Sequence, residues 1–248
     1  MRYLRSALVF GAFGLWLSGA ASAAPVSPVG LTVLVDGVNA GYYDQTQIGC
    51  ASGSGTSFNC SGTDQQFGGS SGMKMSWDMT FDSEPVITGT TSVTNLNSSA
   101  QQFTLIFTLP TTVSPSSLMG GSLQGGVTDN NGLSTGATIT APAGSALYTA
   151  IIDNVVQQQL HADPFSYTEP NNFQSSNFAS ANWGTPIPSA PGPAVGSYIR
   201  IQLDFMLSGN DSASMTSNFV VVPVPEPAPA TLTLLGLVAL ALRRRSAR

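Results

Sequence analysis

Residues 198–207 read YIRIQLDFML, and the alternation in this stretch decides the fold class. Every second residue from Ile199 onwards is apolar, while the positions between include Arg200, Gln202 and Asp204. Successive side chains of a strand point to opposite faces, so a period of two predicts a strand with one face in a core and the other in water.

The same period recurs in two other long stretches. KMSWDMTF (residues 74–81) places Met75, Trp77, Met79 and Phe81 on one face, and QFTLIFTLP (residues 102–110) does so for Phe103, Leu105, Phe107 and Leu109. Shorter strand candidates are residues 31–35, 86–93, 137–140, 146–156 and 219–222. Such strands, joined by turns rich in Gly, Ser and Asn, predict an all-β fold, an antiparallel β-sandwich or jelly roll. We expect one core to bury Trp77, Met79, Phe103, Leu105, Ile201, Leu203 and Phe205.

The connections are less regular. Asn131-Gly132 and Gly209-Asn210 have the composition of hairpin turns. DNVVQQQL, residues 153–160, is the one stretch we interpret as one or two helical turns. Residues 164–193 are polar and rich in proline, which predicts a long loop.

Charge restricts the possible partners. Of the eight basic residues, only Lys74 and Arg200 lie outside the two chain ends, whereas all thirteen acidic residues lie between Asp36 and Glu226. An acidic body repels phosphate, so nucleic acid is not an expected partner.

The N-terminal segment has the pattern of a secretory signal peptide. Arg2 and Arg5 precede an apolar run, and a small-residue triplet ends at Ala23. We predict a signal peptide over residues 1–23, cut by signal peptidase after Ala23; a cut after Ala24 would place Pro25 directly at the cleavage site. The exported domain then covers residues 24–222.

The C-terminal segment, residues 222–248, reads VPVPEPAPATLTLLGLVALALRRRSAR. Its apolar run, residues 230–242, would form a helix of roughly 20 Å, short of the ~30 Å hydrocarbon core of a bilayer. Arg243, Arg244 and Arg245 would stop translocation and hold the end on the cytoplasmic side. This pattern predicts transient membrane insertion through a short helix.

This tail resembles the PEP-CTERM sorting signal, also called the ice-binding protein C-terminal domain, over residues 223–248. Pro225, Glu226 and Pro227 match the motif, followed by the short apolar helix and the arginine cluster. The resemblance implies processing by an exosortase, a Gram-negative host that makes exopolysaccharide or biofilm, and a final location at the cell surface or outside it. An ordinary tail anchor with a proline-rich linker is the alternative.

Two cysteines, Cys50 and Cys60, lie in a Gly/Ser-rich segment. In an exported chain, this spacing predicts a disulfide.

Catalytic signals are sparse. His161 is the one histidine, which we interpret as an exposed side chain near a loop, and no G-x-S-x-G motif accompanies it. Asp78, Asp82 and Glu84 would share a strand face if the strand continued through Glu84, which would suit a glycoside hydrolase. Residues 129–132, DNNG, offer calcium ligands but lack the full EF-hand loop, so we interpret them as a turn.

We therefore expect no catalytic residues, metal or cofactor, and a non-enzymatic surface or matrix protein. The alternative is a carbohydrate-binding module acting on exopolysaccharide; a carboxylate-dependent hydrolase is third. Sugar-stacking candidates are aromatic residues in loop-like sequence: Tyr42, Tyr43, Phe173, Phe178 and Trp183.

Overall fold

The computed structural model describes residues 29–53, 56–132 and 136–224, and this part of the chain is built from sixteen β-strands. In chain order they are β1 (Gly30–Val35), β2 (Val38–Asp44), β3 (Cys50–Ser52), β4 (Ser57–Phe67), β5 (Met73–Asp82), β6 (Val86–Asn95), β7 (Gln101–Pro110), β8 (Ser117–Thr128), β9 (Ala137–Thr140), β10 (Ala146–Ile152), β11 (Val155–Ala162), β12 (Ser166–Glu169), β13 (Ser175–Trp183), β14 (Ala190–Gly192), β15 (Tyr198–Leu207) and β16 (Ser212–Pro223). One short 3₁₀ helix, Gly69–Ser71, precedes β5.

The strands form two antiparallel sheets of eight strands each. Sheet A has the order β11-β10-β15-β7-β1-β2, with β9 paired to β15 and β12 paired to β9. Sheet B has the order β13-β8-β16-β6-β5-β4-β3, with β14 paired to β8. The all-β, two-sheet prediction is confirmed.

The core lies between the two sheets. All seven residues predicted to be buried are buried and belong to one hydrophobic cluster. Phe81 of sheet B and Phe107 of sheet A meet with ring centroids 6.4 Å apart. Within sheet A, Phe103 and Phe205 are direct register partners, and their ring centroids lie 5.8 Å apart. The period of two therefore identified the inner faces correctly.

The prediction of helical turns over residues 153–160 is wrong. Asp153 and Asn154 have φ angles of 47° and 68° and form the tight turn between β10 and β11. Residues of this type tolerate the left-handed region, which hairpin turns require. β11 is an edge strand with Leu160 as its one buried residue, so it lacks the alternation by which the other strands were found.

The prediction of a long loop over residues 164–193 is also wrong, because it contains β12, β13 and β14. These short or edge strands are held by backbone pairing to neighbours in their sheets. In β13, Phe178 is the one buried residue, so little apolar patterning reveals the strand.

The two predicted hairpin turns connect different sheets. Gly209-Asn210 joins β15 of sheet A to β16 of sheet B, with Asn210 at φ 60°. Asn131-Gly132 follows β8 of sheet B, and the next strand, β9, belongs to sheet A. Both sites turn the chain as expected, but neither closes a hairpin.

Asp204 was expected to face water and instead is only 6% exposed. Its carboxylate accepts hydrogen bonds from Gln102 Nε2 at 2.8 Å, from Thr104 Oγ1 at 3.1 Å and from Ser145 Oγ at 2.8 Å. These neighbours cover the carboxylate and satisfy it.

Both predicted targeting segments lie outside the described residues. These are the signal peptide with its cleavage residues Ala23 and Ala24, the Pro225-Glu226-Pro227 motif, the apolar run of residues 230–242 and the cluster Arg243–Arg245. Within the described ranges, no helix is long and apolar enough to cross a membrane.

Candidate functional site

An open groove of about 600 Å³ lies on the outer face of sheet B. Its base follows β8, with β13 on one side and β16 on the other. The lining is mainly small and polar: Gln124, Gly125, Gly126, Val127, Thr128, Ser175, Ser176, Asn177, Phe178, Ser180, Ser214 and Thr216. No charged side chain lines it, so the groove suits a neutral polar ligand.

Gly126 lies in the lining of the groove, where β13 packs closely against β8. Asn177, Gly126 and Ser214 occupy one row across the three strands by register. Gly126 is buried, and its neighbours on β13 occupy the space that a side chain would take. A Cβ atom there would lie 2.5 Å from the backbone oxygen of Ser176 and would also clash with Asn177 Oδ1. The glycine is therefore required by the close packing of β13 against β8.

Hydroxyl pairs surround the groove. Thr128 Oγ1 and Ser175 Oγ lie 2.7 Å apart, and Thr216 Oγ1 and Thr90 Oγ1 lie 3.0 Å apart. Such cross-strand pairs stabilise the sheet and fix the hydroxyl orientations. The resulting surface offers both donors and acceptors, a chemistry that matches the hydroxyl groups of a sugar.

His161 lies near this groove in an aromatic cluster on β11 and is only partly exposed, whereas we expected an exposed side chain near a loop. Its ring is 4.4 Å from the Phe165 ring and 5.3 Å from the Phe178 ring, centroid to centroid. Burial lowers the pKa of His161, and a hydrogen bond with the backbone of Ala179 offsets this only in part. Nε2 is buried and has no hydrogen-bond partner. The cluster packs β11 of sheet A against β13 of sheet B, which gives His161 a structural position.

The acidic residues considered for hydrolysis do not share one strand face. β5 ends at Asp82, so Glu84 lies in the following turn. Asp82 Oδ1 accepts hydrogen bonds from Thr56 Oγ1 at 2.8 Å and from the Glu84 backbone N–H at 3.0 Å, so it stabilises that turn. Asp78 is exposed. The three carboxylates therefore do not share a strand face, because β5 ends two residues before Glu84.

The five candidate sugar-stacking aromatics do not form one platform. Tyr42 and Phe173 are exposed, at 58% and 69%. Tyr43 packs against Phe67 at 5.0 Å, Phe178 is buried, and Trp183 is half-buried against Phe219 at 6.1 Å. Only Tyr42 and Phe173 present their rings to solvent, on separate elements.

The predicted disulfide between Cys50 and Cys60 is present. The two cysteines are direct register partners in β3 and β4, and Cys60 is fully buried. Next to them, Trp77 Nε1 donates a 3.0 Å hydrogen bond to the backbone oxygen of Ile48, which ties the preceding loop to β5.

Three buried carboxylates at one end of the sandwich were not recognised as a group from the sequence. Asp129 follows β8, Glu169 ends β12 and Asp211 precedes β16. Of the three, only Asp129 belongs to a recognisable sequence pattern, the DNNG turn. The Oδ1 atom of Asp129 accepts hydrogen bonds from the backbone N–H groups of Asn131 at 3.0 Å and Gly132 at 2.9 Å. The turn interpretation is confirmed, but no local pattern marks the other two.

No known family model and no curated protein matches this chain. The functional interpretation therefore depends on the residues themselves.

Proposed function

We propose that the chain is an exported, non-enzymatic bacterial protein of the cell surface or extracellular matrix, delivered by a PEP-CTERM sorting signal. The observation that carries this proposal is the disulfide Cys50–Cys60. Disulfides persist in oxidising compartments outside the cytoplasm and are rare inside it. The disulfide therefore agrees with the signal peptide predicted over residues 1–23.

The tail supplies the second half of the proposal. β16 extends to Pro223, so the Pro225-Glu226-Pro227 motif follows the last strand almost directly. Prolines keep a segment extended and free of helix, which suits a protease cleft. An exosortase would cut here while residues 230–242 and Arg243–Arg245 hold the tail in the membrane. The folded domain would then reach the surface or the exopolysaccharide matrix.

The test is the mass of the C-terminal peptide of the mature protein in its native host. We expect it to end near Pro227, and Glu226→Ala or loss of the exosortase to leave the tail attached. Deleting Arg243–Arg245 should instead weaken retention before processing. A mature surface form that still carries Leu242 and the arginines would show that the tail is an ordinary anchor.

The groove on sheet B favours carbohydrate binding as a second candidate function. It is an open, uncharged depression with hydroxyl groups on both walls and the amides of Gln124 and Asn177 at its base and on its β13 wall. Neutral exopolysaccharide offers matching hydroxyls and does not suffer repulsion from the acidic body of the chain. The Asn177-Gly126-Ser214 row would contact the sugar through the Asn177 amide and the Ser214 hydroxyl, which lie on opposite sides of the glycine.

A glycan array with purified residues 24–222 tests this second function. Ser214→Trp should block the groove and remove binding, because Ser214 is exposed on its wall. Ser61→Trp is the matched control: Ser61 is exposed on β4, three strands from β16 in the same sheet, and should leave binding unchanged. Equal binding by both variants would exclude the groove, and no binding by the unmodified domain would exclude the function.

A further inference from the structure

Phe173, in the connection between β12 and β13, is an exposed aromatic residue with an uncommon backbone conformation. Its side chain is 69% exposed, and its φ angle is 54°. Bulky residues rarely adopt this left-handed region, because the Cβ atom then crowds the backbone. Residues held in such conformations occur often at binding sites, where the surrounding structure fixes them.

Hydrogen bonds on both sides of Phe173 fix this connection. The Nδ2 of Asn172 donates to the backbone oxygen of Gly132 at 2.9 Å. The backbone N–H of Asp129 donates to the backbone oxygen of Gln174 at 3.0 Å. Both neighbours of Phe173 in the chain are therefore tied to the segment that follows β8.

Gly132 makes room for the Phe173 ring. The ring atoms Cε2 and Cζ lie so close to Gly132 that a Cβ atom at this position would clash with them. One edge of the ring thus rests on the DNNG turn, while most of the ring surface is open to solvent. Because the ring is held in place before a ligand arrives, little side-chain entropy is lost on binding.

Phe173 lies just beyond one end of the groove on sheet B. Ser175 and Thr128 are register partners in the last row of the lining, and their hydroxyl oxygens lie 2.7 Å apart. The hydrogen bond between Asp129 and Gln174 continues the pairing of β8 with β13 past this row. Phe173 precedes Ser175 by two residues, so its ring lies on the β13 side of this end.

Asn130 occupies the β8 side of the same end. It follows Thr128 by two residues, and it is exposed. Its Nδ2 donates a 2.6 Å hydrogen bond to the Oγ of Ser212, which is the register partner of Thr128 on β16. The groove therefore ends between an amide and an aromatic ring. This combination suits a sugar, whose hydroxyls hydrogen-bond and whose C–H face packs on aromatic surface.

We propose that Phe173 is an aromatic subsite on which one unit of a neutral oligosaccharide stacks, while the neighbouring units occupy the groove. This inference rests on the carbohydrate-binding function proposed for the groove. The lining carries no charged side chain, which favours a neutral glycan. Asn177 follows Phe173 by four positions, a separation on the order of 10 Å, so one sugar ring does not contact both residues. The ligand is therefore a chain of several sugar units.

Isothermal titration calorimetry of the exported protein tests this subsite. The probes are neutral oligosaccharides of glucose, of galactose and of mannose, each from two to six units long. For the sugar that binds, affinity should rise with length until the chain reaches the ring. Phe173→Asn should then weaken binding of the hexasaccharide about tenfold, since covering roughly 50 Å² of apolar ring surface changes a dissociation constant by this factor. The disaccharide, which the groove alone accommodates, should bind both proteins equally.

Phe173→Asn removes the ring without disturbing the backbone, because asparagine tolerates the left-handed region. Its Tm should equal or exceed that of the unmodified protein. Phe173→Tyr keeps an aromatic ring and should retain the affinity for the hexasaccharide. Tyr42→Ala is the control, since Tyr42 is also an exposed aromatic residue but lies on β2 of sheet A, and it should leave binding unchanged.

Two results would overturn the inference, and they are distinguishable. If Ser214→Trp removes hexasaccharide binding but Phe173→Asn binds as tightly as the unmodified protein, the groove binds the glycan and Phe173 is not a subsite. If the unmodified protein binds none of the oligosaccharides, the carbohydrate-binding function and the subsite are both wrong.

Discussion

Tyr148 and Asn218 join the two sheets across the interior. The hydroxyl of Tyr148, on β10 of sheet A, donates a 2.8 Å hydrogen bond to the backbone oxygen of Asn218, on β16 of sheet B. Tyr148 is completely buried, and burial strongly raises the pKa of its hydroxyl. The hydroxyl therefore stays protonated and remains a donor throughout the accessible pH range.

Replacing Tyr148 with phenylalanine should lower the free energy of unfolding by about 1–2 kcal/mol, because a buried hydrogen bond between the sheets is lost while the ring remains. Urea unfolding followed by fluorescence measures this. Tyr42→Phe is the control, since Tyr42 is 58% exposed, and should change stability by less than about 0.5 kcal/mol. Equal effects of the two variants would contradict a stabilising role for the Tyr148 bond.

Gly121 makes room for this contact, so Gly121→Ala should also destabilise the domain. A Cβ atom at this position would lie 2.6 Å from both Tyr148 Oη and the Asn218 backbone oxygen. We expect a cost of about 1–3 kcal/mol from overpacking. Removing the hydroxyl relieves part of the clash, so the double variant with Tyr148→Phe should lose less than the sum of the two single losses. Strict additivity in urea unfolding would show that the two positions are not coupled.

The inner faces of the long strands were predictable because burial imposes a period of two directly on the sequence. Met75, Met79 and Ile201 all follow it and all are buried. The edge strands were not predictable in this way. β11 and β13 each bury a single side chain, so backbone pairing holds them in place and leaves little trace in residue type.

The candidate sites were harder to predict for a related reason. Gly126 lines a groove only because β13 and β16 flank it, and pairing of strands distant in sequence has no local signal. Asp129 and Asp211 meet for the same reason, at the junctions where the chain passes between the sheets. The disulfide was predictable because both of its residues lie in one short segment.

The Cys50–Cys60 disulfide should contribute about 2–3 kcal/mol to stability, since it closes a short loop. The double variant Cys50→Ser/Cys60→Ser should show this loss in urea unfolding. Adding a reductant to the unmodified protein should reproduce most of it, and the same reductant should not affect the variant. Alkylation of both thiols in the native exported protein without reduction would contradict the disulfide.

His161 should make the domain less stable as the pH falls from about 7.5 to 5.5. Burial lowers its pKa below the ordinary value of 6.5, so the unfolded chain takes up a proton before the folded chain does. The free energy of unfolding therefore decreases as the pH drops through 6.5 towards the lower pKa that His161 has in the folded protein. The carboxylates of Asp44, Asp153 and Glu169 have lowered pKa values too, but they lose their contribution only at still lower pH.

His161→Asn isolates this effect. His161 has a φ of 51°, and asparagine tolerates the left-handed region better than most residues. The variant loses the ring contacts with Phe165 and Phe178, so its Tm should be lower at pH 7.5. Its Tm should nevertheless fall less between pH 7.5 and 5.5 than that of the unmodified protein, because the titrating group is gone. Thermal unfolding of both proteins across this pH range measures the effect. If the Tm of the two proteins fell equally between pH 7.5 and 5.5, His161 would protonate equally in the folded and unfolded states. The predicted contribution of His161 to the pH dependence of stability would then be wrong.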